Sequence, residues 1–150
     1  MPHSRRMFLG ALMAGGALSS ARRLPAEAVQ PAGKSYRACV IGHTGRGGYG
    51  HGLDVCFQKI PGVTVAAVAD PDEKGRAKAI QVTGAGRSYA DWREMLEREK
   101  PDLVSIGMRW VENRLALVKS AVEAGAHVFM EKPMAASLEE ADAILAAARE

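Results

Sequence analysis

After an apolar run at residues 37–41, the sequence reads Gly42-His43-Thr44-Gly45-Arg46-Gly47-Gly48-Tyr49-Gly50, and residues 50–59 then have the apolar spacing of a helix. A GxGxxG pattern falls on Gly45, Gly47 and Gly50, with Gly42 directly after the apolar run. Glycines between a strand and a helix let the main chain approach a pyrophosphate closely. The main-chain amides at the start of the helix then stabilise the negative charge of the pyrophosphate. The pattern therefore predicts a dinucleotide-binding loop, and a flexible turn is the competing interpretation.

Strand-like and helix-like runs alternate from Tyr36 onward. The predicted strands are 37–41, 63–69, 87–89, 103–106 and 127–130, and the predicted helices are 50–59, 73–82, 91–100, 112–124 and 138 to the end. Apolar strands separated by helices indicate a parallel sheet covered on both faces. We predict a doubly wound, Rossmann-like α/β fold that is incomplete at its C-terminus, in which ligands bind at the carboxyl ends of the strands.

An acidic residue ends the second predicted strand. Asp70 lies 28 residues after Gly42, where a carboxylate accepts hydrogen bonds from both hydroxyls of an adenosine ribose and repels a 2′-phosphate. This favours NAD over NADP, although Lys74 and Arg76 nearby would weaken the preference. The alternative is that Asp70 only caps the following helix.

The N-terminal segment has the order of an export signal. Arg5 and Arg6 precede an apolar run of 14 residues, 8–21, and a small-x-small cleavage pattern follows at 26–28. The run is shorter than the roughly 20 residues that span a bilayer, so we predict a twin-arginine signal peptide over 1–28, with a retained anchor as the alternative. The expected location is periplasmic or otherwise exported, with the twin-arginine machinery as a partner and no stable membrane anchor. A linker at 29–35 then leads into the domain at 36–150.

Charge and cysteine content limit the function further. Without residues 1–28, the 20 basic and 17 acidic residues of the chain fall to 16 of each. The net positive charge of the chain therefore comes from the predicted leader. Nucleic acid is therefore not an expected partner. Cys39 and Cys56 have no metal-ligand spacing, and we predict buried free thiols and no metal site; a disulfide is the alternative in an exported protein.

A further set of motifs resembles the glucose–fructose oxidoreductase/inositol dehydrogenase/MocA (Gfo/Idh/MocA) family over residues 36–150. In chain order, the motifs are the glycine loop, Val68-Ala69-Asp70, Tyr89-x-Asp91-Trp92, Pro101-Asp102-Leu103-Val104 and Ala124-Gly125-x-His127-Val128-x-x-Glu131-Lys132-Pro133. The resemblance implies that Lys132 lies near the nicotinamide and contacts the reacting substrate oxygen. It also implies that Glu131 holds this strand end, and that the peptide before Pro133 is often cis.

The sequence departs from the family pattern after the fourth strand. Many members have Thr-Pro and then a histidine where this chain has Arg109, Trp110 and Arg114. We still expect this loop to line the cofactor site, with Trp110 able to stack on a ring. The cofactor-binding candidates are Gly42, Gly45, Arg46, Gly47, Gly50, Asp70, Arg109, Trp110, Glu131 and Lys132, and Lys132 is the catalytic candidate.

The resemblance implies a longer enzyme, with a second α/β domain that binds substrate and is absent from this chain. The leading hypothesis is the NAD(H)-binding domain of an exported oxidoreductase acting on a sugar, polyol or related hydroxy compound, forming a homo-oligomer when full length. An NAD-dependent glycoside hydrolase and a non-catalytic nucleotide-binding remnant are the alternatives.

Overall fold

The computed structural model describes residues 33–149, so the predicted leader and most of the predicted linker lie outside the described part. Five strands and four helices follow one another in this range. Their bounds are β1 (Tyr36–Ile41), β2 (Val63–Ala69), α1 (Glu73–Thr83), β3 (Arg87–Tyr89), α2 (Trp92–Glu99), β4 (Leu103–Ile106), α3 (Arg114–Glu123), β5 (His127–Met130) and α4 (Leu138–Ala147).

The strands form one parallel sheet in the order β3-β2-β1-β4-β5. The chain moves outward in one direction from β1 to β3 and then in the other through β4 and β5, so the connections diverge between β1 and β4. A crevice for a ligand opens at such a point, outside the carboxyl ends of the strands. The predicted α/β class is confirmed.

The sheet is buried on both faces, as the uncharged strands predicted. One buried cluster joins it to α2, α3 and α4 and includes Ile41, Ile106 and Leu117. The other includes Val40, Val68, Phe57 and Ala79 and lies toward α1 and the segment after the glycine loop. Because both faces are covered, only the strand ends are left to build a polar site.

The helix predicted over 50–59 is wrong. This segment is a succession of turns, closed by short-range bonds such as Val55 N–H to the carbonyl of Gly52 at 3.2 Å. Gly50, Gly52 and Lys59 have φ values of +63°, +86° and +62°, which a right-handed helix does not tolerate. Leu53 and Phe57 are buried, but Val55 and Ile60 are exposed, so the helical apolar spacing predicted neither the backbone conformation nor the buried face of this segment correctly.

Polar side chains cap three of the four described helices, and Asn113, before α3, makes no such hydrogen bond. Asp91 caps α2, and the Ser137 hydroxyl accepts the Glu140 N–H at 3.1 Å at the start of α4. The Glu140 carboxylate in turn accepts the N–H of Ala136, the residue before Ser137, so side chains satisfy two main-chain amides at the start of α4. Gly125 follows α3 with φ +85°.

Both cysteines are free thiols. Cys39 is completely buried in β1, and burial raises its pKa to about 12, which makes it unreactive. Cys56, in the turn segment after the glycine loop, is only partly buried, against the prediction. Within residues 33–149, no helix combines the length and apolar character needed to cross a membrane.

Candidate cofactor site

A cavity of about 350 Å³ lies at the carboxyl ends of the strands, between the glycine loop and the loop from β4 to α3. Its walls are mainly apolar, and two tryptophans contribute to them. The lining residues include Gly42, His43, Arg46, Pro71, Trp92, Met108, Trp110, Glu112 and Leu117. An apolar cleft with a few polar groups at this divergence of the sheet has the character of a nucleotide site.

The glycine loop is a tight turn closed by its own main chain. His43 and Gly48 exchange N–H to carbonyl hydrogen bonds of 3.1 and 3.0 Å, and Gly45 and Gly47 have φ values of +85° and +89°. Among the described residues, the amides of Gly45 and Gly47 donate no hydrogen bond. Such amides suit the oxygens of a pyrophosphate, so the loop fits a dinucleotide even though no helix follows it.

Two glycines of the loop are required by close packing. A Cβ at Gly42 would overlap the ring of Tyr49, and one at Gly47 would come 2.8 Å from the main-chain nitrogen of Arg109. The loop therefore packs directly on its neighbours at both ends. Burial, assisted by the Asp70 carboxylate, raises the pKa of Tyr49.

Asp70 lies beneath the loop rather than in the cavity wall. Its carboxylate is fully buried and accepts the Thr44 N–H at 2.9 Å, the Thr44 hydroxyl at 2.8 Å and the Asp72 N–H at 2.9 Å. Gly75 permits this approach, because a Cβ there would overlap the Thr44 hydroxyl. In this conformation Asp70 anchors the loop, and its expected contact with ribose stays a prediction. Asp72, not Asp70, supplies the side-chain cap of α1.

The basic residues near Asp70 are differently placed. Arg76 donates to the main-chain carbonyl oxygens of Asp70 at 2.7 Å and Pro71 at 3.0 Å. Lys74 lines a second cavity, of about 680 Å³, on the side of the loop that faces α1; Gly45 and Gly50 also line it. Nη1 of Arg76 is thus bonded to the main chain at the end of β2.

Arg46 connects the two loops that border the first cavity. Its guanidinium lies 5.2 Å from the ring centre of Trp110, and its Nη1 donates to a carboxylate oxygen of Glu112 at 3.1 Å. We call these three residues the Arg46 bridge. Because β1 and β4 are neighbours in the sheet, the bridge crosses the crevice between them.

A second polar group, the Glu131 cluster, consists of His51, Glu131 and Lys132 at the end of β5. The buried Glu131 carboxylate accepts the main-chain N–H of His51 at 2.8 Å and that of Lys132 at 3.0 Å. The N–H of His51 is the main cause of the lowered pKa of Glu131. The Lys132 side chain is exposed, and the Lys132–Pro133 peptide is cis, as the resemblance implied.

Arg114, where the resemblance implies a histidine in other members, is completely buried at the start of α3. Its Nη2 donates to the carbonyl oxygen of Met108 at 2.8 Å. Burial lowers the pKa of Arg114, and the charges of Glu131 and Glu140 oppose that shift. Arg114 therefore fixes the cavity-lining loop after β4 from below instead of facing the cavity.

The structure brings the predicted residues together in two places. Gly42, Arg46 and Trp110 line the first cavity, while Glu131 and Lys132 belong to the cluster at the end of β5. Arg109 contributes its main chain beneath Gly47. Sequence reasoning missed the contacts of Thr44, Glu112 and His51, since each depends on a partner 26 to 80 residues away. Within residues 33–149, no group of three His, Cys, Asp or Glu side chains is arranged to hold a metal ion.

Comparison with known proteins identifies the family. The profile described as "Oxidoreductase family, NAD-binding Rossmann fold" (GFO_IDH_MocA) matches residues 36–150. The chain belongs to the Gfo/Idh/MocA family. Its NAD-binding Rossmann fold agrees with the parallel sheet, the glycine loop and the crevice between β1 and β4.

Relatives of this Gfo/Idh/MocA chain carry two kinds of name. A glycosyl hydrolase family 109 protein 2 from Shewanella sp. (strain ANA-3) is 31% identical over 162 residues, covering 91% of this chain and 35% of that protein. A D-apiose dehydrogenase from Paraburkholderia graminis is 34% identical over 91 residues, covering 61% of this chain and 24% of that protein. The chain thus spans about a third or less of the length of these curated relatives.

Solved structures of similar fold include two oxidoreductases. The myo-inositol 2-dehydrogenase of Lactobacillus plantarum superposes with a TM-score of 0.64 at 28% identity, covering 77% of this chain and 33% of that one. An oxidoreductase from Agrobacterium radiobacter, crystallised with NAD+, L-tartaric acid and magnesium, gives a TM-score of 0.66 at 24% identity, with the same coverage of both chains. The second likeness concerns the fold alone.

Proposed function

We propose that this chain is the NAD(H)-binding domain of a longer enzyme that transfers hydride between nicotinamide and a sugar, polyol or related hydroxy compound. The observation that carries the proposal is the end of β5. Glu131 fixes the main chain of Lys132, while the side chain of Lys132 is exposed and makes no hydrogen bond or ion pair among the described residues. A lysine whose main chain is fixed, and whose ammonium group makes no hydrogen bond or ion pair with the described residues, is suited to contact a substrate oxygen.

The bound nicotinamide would supply the hydride chemistry, and the residues of this chain would supply position and charge. The free amides of Gly45 and Gly47 would bind the pyrophosphate. Lys132 would stabilise the negative charge that develops on the substrate oxygen. The general acid or base and most of the substrate contacts would come from outside these 150 residues, because the relatives are about three times longer.

NAD rather than NADP is the proposed preference. Asp70 ends β2 beneath the loop, and its negative charge disfavours a 2′-phosphate. Nη1 of Arg76 donates to main-chain carbonyl oxygens in the same turn, which reduces its availability for a 2′-phosphate. Both observations support NAD.

Lys132→Ala in the full-length protein tests the catalytic role. We expect turnover to fall about 100-fold or more, because removing one group that stabilises transition-state charge has effects of that order. NAD+ affinity should change little, since the main chain binds the pyrophosphate. Lys119→Ala is the matched control, since Lys119 is an exposed residue of α3 that belongs neither to the Arg46 bridge nor to the Glu131 cluster. Turnover that survives Lys132→Ala would contradict the assigned role, whereas NAD+ binding without any turnover in the wild-type protein would favour a non-catalytic remnant.

A second candidate is an NAD-dependent glycoside hydrolase, in which oxidation of the substrate is transient. The relatives named glycosyl hydrolase family 109 favour it, because one of them is 31% identical over 91% of this chain. A hydrolase of this type returns the hydride within each turnover. Sugar release from an aryl glycoside without net NADH would support this candidate, whereas stoichiometric NADH would support the dehydrogenase.

We also propose export through the twin-arginine pathway. Arg5 and Arg6 before the apolar run 8–21 support it. That pathway carries folded proteins, so a cofactor bound in the cytoplasm would travel with the enzyme.

A further inference from the structure

The carboxylate of Glu131 is shared between two segments that are distant in sequence. One oxygen, Oε2, accepts the main-chain N–H of His51 at 2.8 Å and lies 3.0 Å from Nδ1 of the same residue. The other oxygen, Oε1, accepts the main-chain N–H of Lys132 at 3.0 Å. A single buried group therefore links the end of the glycine loop to the base of Lys132.

The tautomer of His51 follows from this arrangement. A carboxylate has only acceptor atoms, so Nδ1 must carry the hydrogen of the bond to Glu131. The His51 side chain is 60% exposed and Glu131 only 5%, so the imidazole closes the cluster on its solvent side. His51 thereby donates two hydrogen bonds to Oε2 of Glu131. Both bonds hold the carboxylate in the orientation in which Oε1 accepts the Lys132 N–H.

The close approach of these segments depends on glycine at position 50. Its φ is +63°, and a Cβ there would overlap Glu131 Oε2 and lie 2.6 Å from the carbonyl oxygen of Gly107. The loop can thus present the His51 N–H to Glu131 only because residue 50 has no side chain. The buried cation of Arg114 is electrostatically coupled to Glu131 and favours its charged form.

We propose that His51 is a positioning residue for Lys132, acting through Glu131. Its imidazole prevents the Glu131 carboxylate from rotating, so that Lys132 keeps the main-chain position from which its ammonium reaches the substrate. The catalytic part of this inference rests on the proposed function. The positional part does not, because it concerns only the three residues of the Glu131 cluster.

Two substitutions in the full-length protein isolate the imidazole contact. His51→Ala removes the ring and keeps the main-chain N–H. His51→Asn places a side-chain amide donor where Nδ1 lies, so it can still donate to Glu131. His127→Ala is the matched control, since His127 is exposed at the opposite end of β5.

The first measurement is hydrogen exchange at the main-chain amide of Lys132 in the NAD-bound protein. We expect His51→Ala to accelerate it about fivefold, a loss typical of one hydrogen bond. We expect His51→Asn and His127→Ala to exchange at the wild-type rate. An unchanged rate in His51→Ala, or equal acceleration in His51→Asn, would overturn the proposal.

The second measurement separates this proposal from the proposed function. If hydride transfer is the activity, His51→Ala should lower kcat about fivefold while the KM for NAD+ changes less than twofold, and His51→Asn should restore kcat. If neither the wild-type protein nor the variants oxidise a sugar, polyol or related hydroxy compound, the proposed function fails. Accelerated exchange at Lys132 in His51→Ala alone would still establish the positioning role.

Discussion

The guanidinium of Arg46 lies over the ring of Trp110 and donates to Glu112, so one side chain joins the loops that follow β1 and β4. All three residues line the cavity at the crevice of the sheet. The Arg46 bridge therefore links two walls of this cavity. The side chains of Arg46 and Glu112 are about half-exposed, which limits the strength of their ion pair.

Breaking the Arg46 bridge should accelerate cofactor release. In the full-length protein, we expect Arg46→Ala to raise the dissociation rate of NAD+ about fivefold, the sum of a modest cation–π contact and an exposed ion pair. Arg46→Lys should have a smaller effect, because it keeps the charge and loses the planar group that stacks on Trp110. Stopped-flow fluorescence measures the rate, and a dissociation rate equal to that of wild type in Arg46→Ala would show that the bridge does not restrain the cofactor.

Removing the charge of Asp70 should weaken the discrimination against NADP. We expect Asp70→Asn to lower NAD+ affinity about tenfold and to narrow the difference from NADP+, because the carboxylate both repels a 2′-phosphate and holds the Thr44 amide. Thr44→Val is the matched control, since it removes only the hydroxyl contact with Asp70. Titration calorimetry with both cofactors provides the comparison. An unchanged ratio of the two affinities in Asp70→Asn would rule out Asp70 as the selective residue.

A buried carboxylate stabilises the opposite end of the sheet. Glu99, at the end of α2, accepts hydrogen bonds from Arg87 at 2.5 and 2.6 Å, from Arg37 at 2.6 Å and from the Tyr89 hydroxyl at 2.6 Å. Its side chain is 2% exposed, whereas Arg37 and Arg87 are about half-exposed. The hydrogen bonds from Arg87 are the main reason why the pKa of Glu99 falls to about 2.

This lowered pKa predicts an acid-dependent loss of stability. A carboxyl group with a pKa of about 4.3 in the unfolded chain and about 2 in the folded chain contributes its full stabilisation above pH ~4.3. That contribution is lost as the pH falls from there toward 2. We expect Glu99→Gln to lower the free energy of unfolding by about 2 kcal/mol at pH 7, less than for a fully buried pair because both guanidiniums are half-exposed.

Thermal unfolding of the full-length protein between pH 7 and pH 3 measures both effects. The difference in Tm between wild type and Glu99→Gln should be largest at pH 7 and shrink below pH ~4.3. Glu97→Gln, an exposed neighbour on α2, is the control. A difference that stays constant over this range would contradict the assignment of the pKa shift to Glu99.

Replacing both Arg5 and Arg6 by lysine should block export if the twin-arginine proposal is correct. We expect the precursor to accumulate in the cytoplasm, because the pathway recognises the arginine pair and not charge alone. The intact mass of the native protein is the complementary measurement, and processing after Ala28 should remove 28 residues. Export of the double lysine variant at the wild-type level would contradict the proposal.

Local sequence signals were sufficient for most of the fold. The apolar run of β2 ends at Asp70 because a charged residue and Pro71 cannot continue a buried strand, and Ser137 starts α4 through its own hydroxyl. The segment 50–59 shows the limit of such reasoning. Its apolar spacing is helical, but Gly50 and Gly52 adopt positive φ, and for Gly50 the contacts with Glu131 and Gly107 make glycine necessary.

The sequence by itself determined the five strands, the four helices after β2, the glycine loop and the acidic residue after β2, because each depends on neighbouring residues and on the period of burial. Only the tertiary structure decided what those residues contact. Asp70 lies under Thr44, Arg46 crosses to Trp110, and His51 shares Glu131 with Lys132. These pairs meet because the parallel sheet brings the carboxyl ends of β1, β2, β4 and β5 to one edge, and contacts between residues so far apart leave no periodic trace in the sequence.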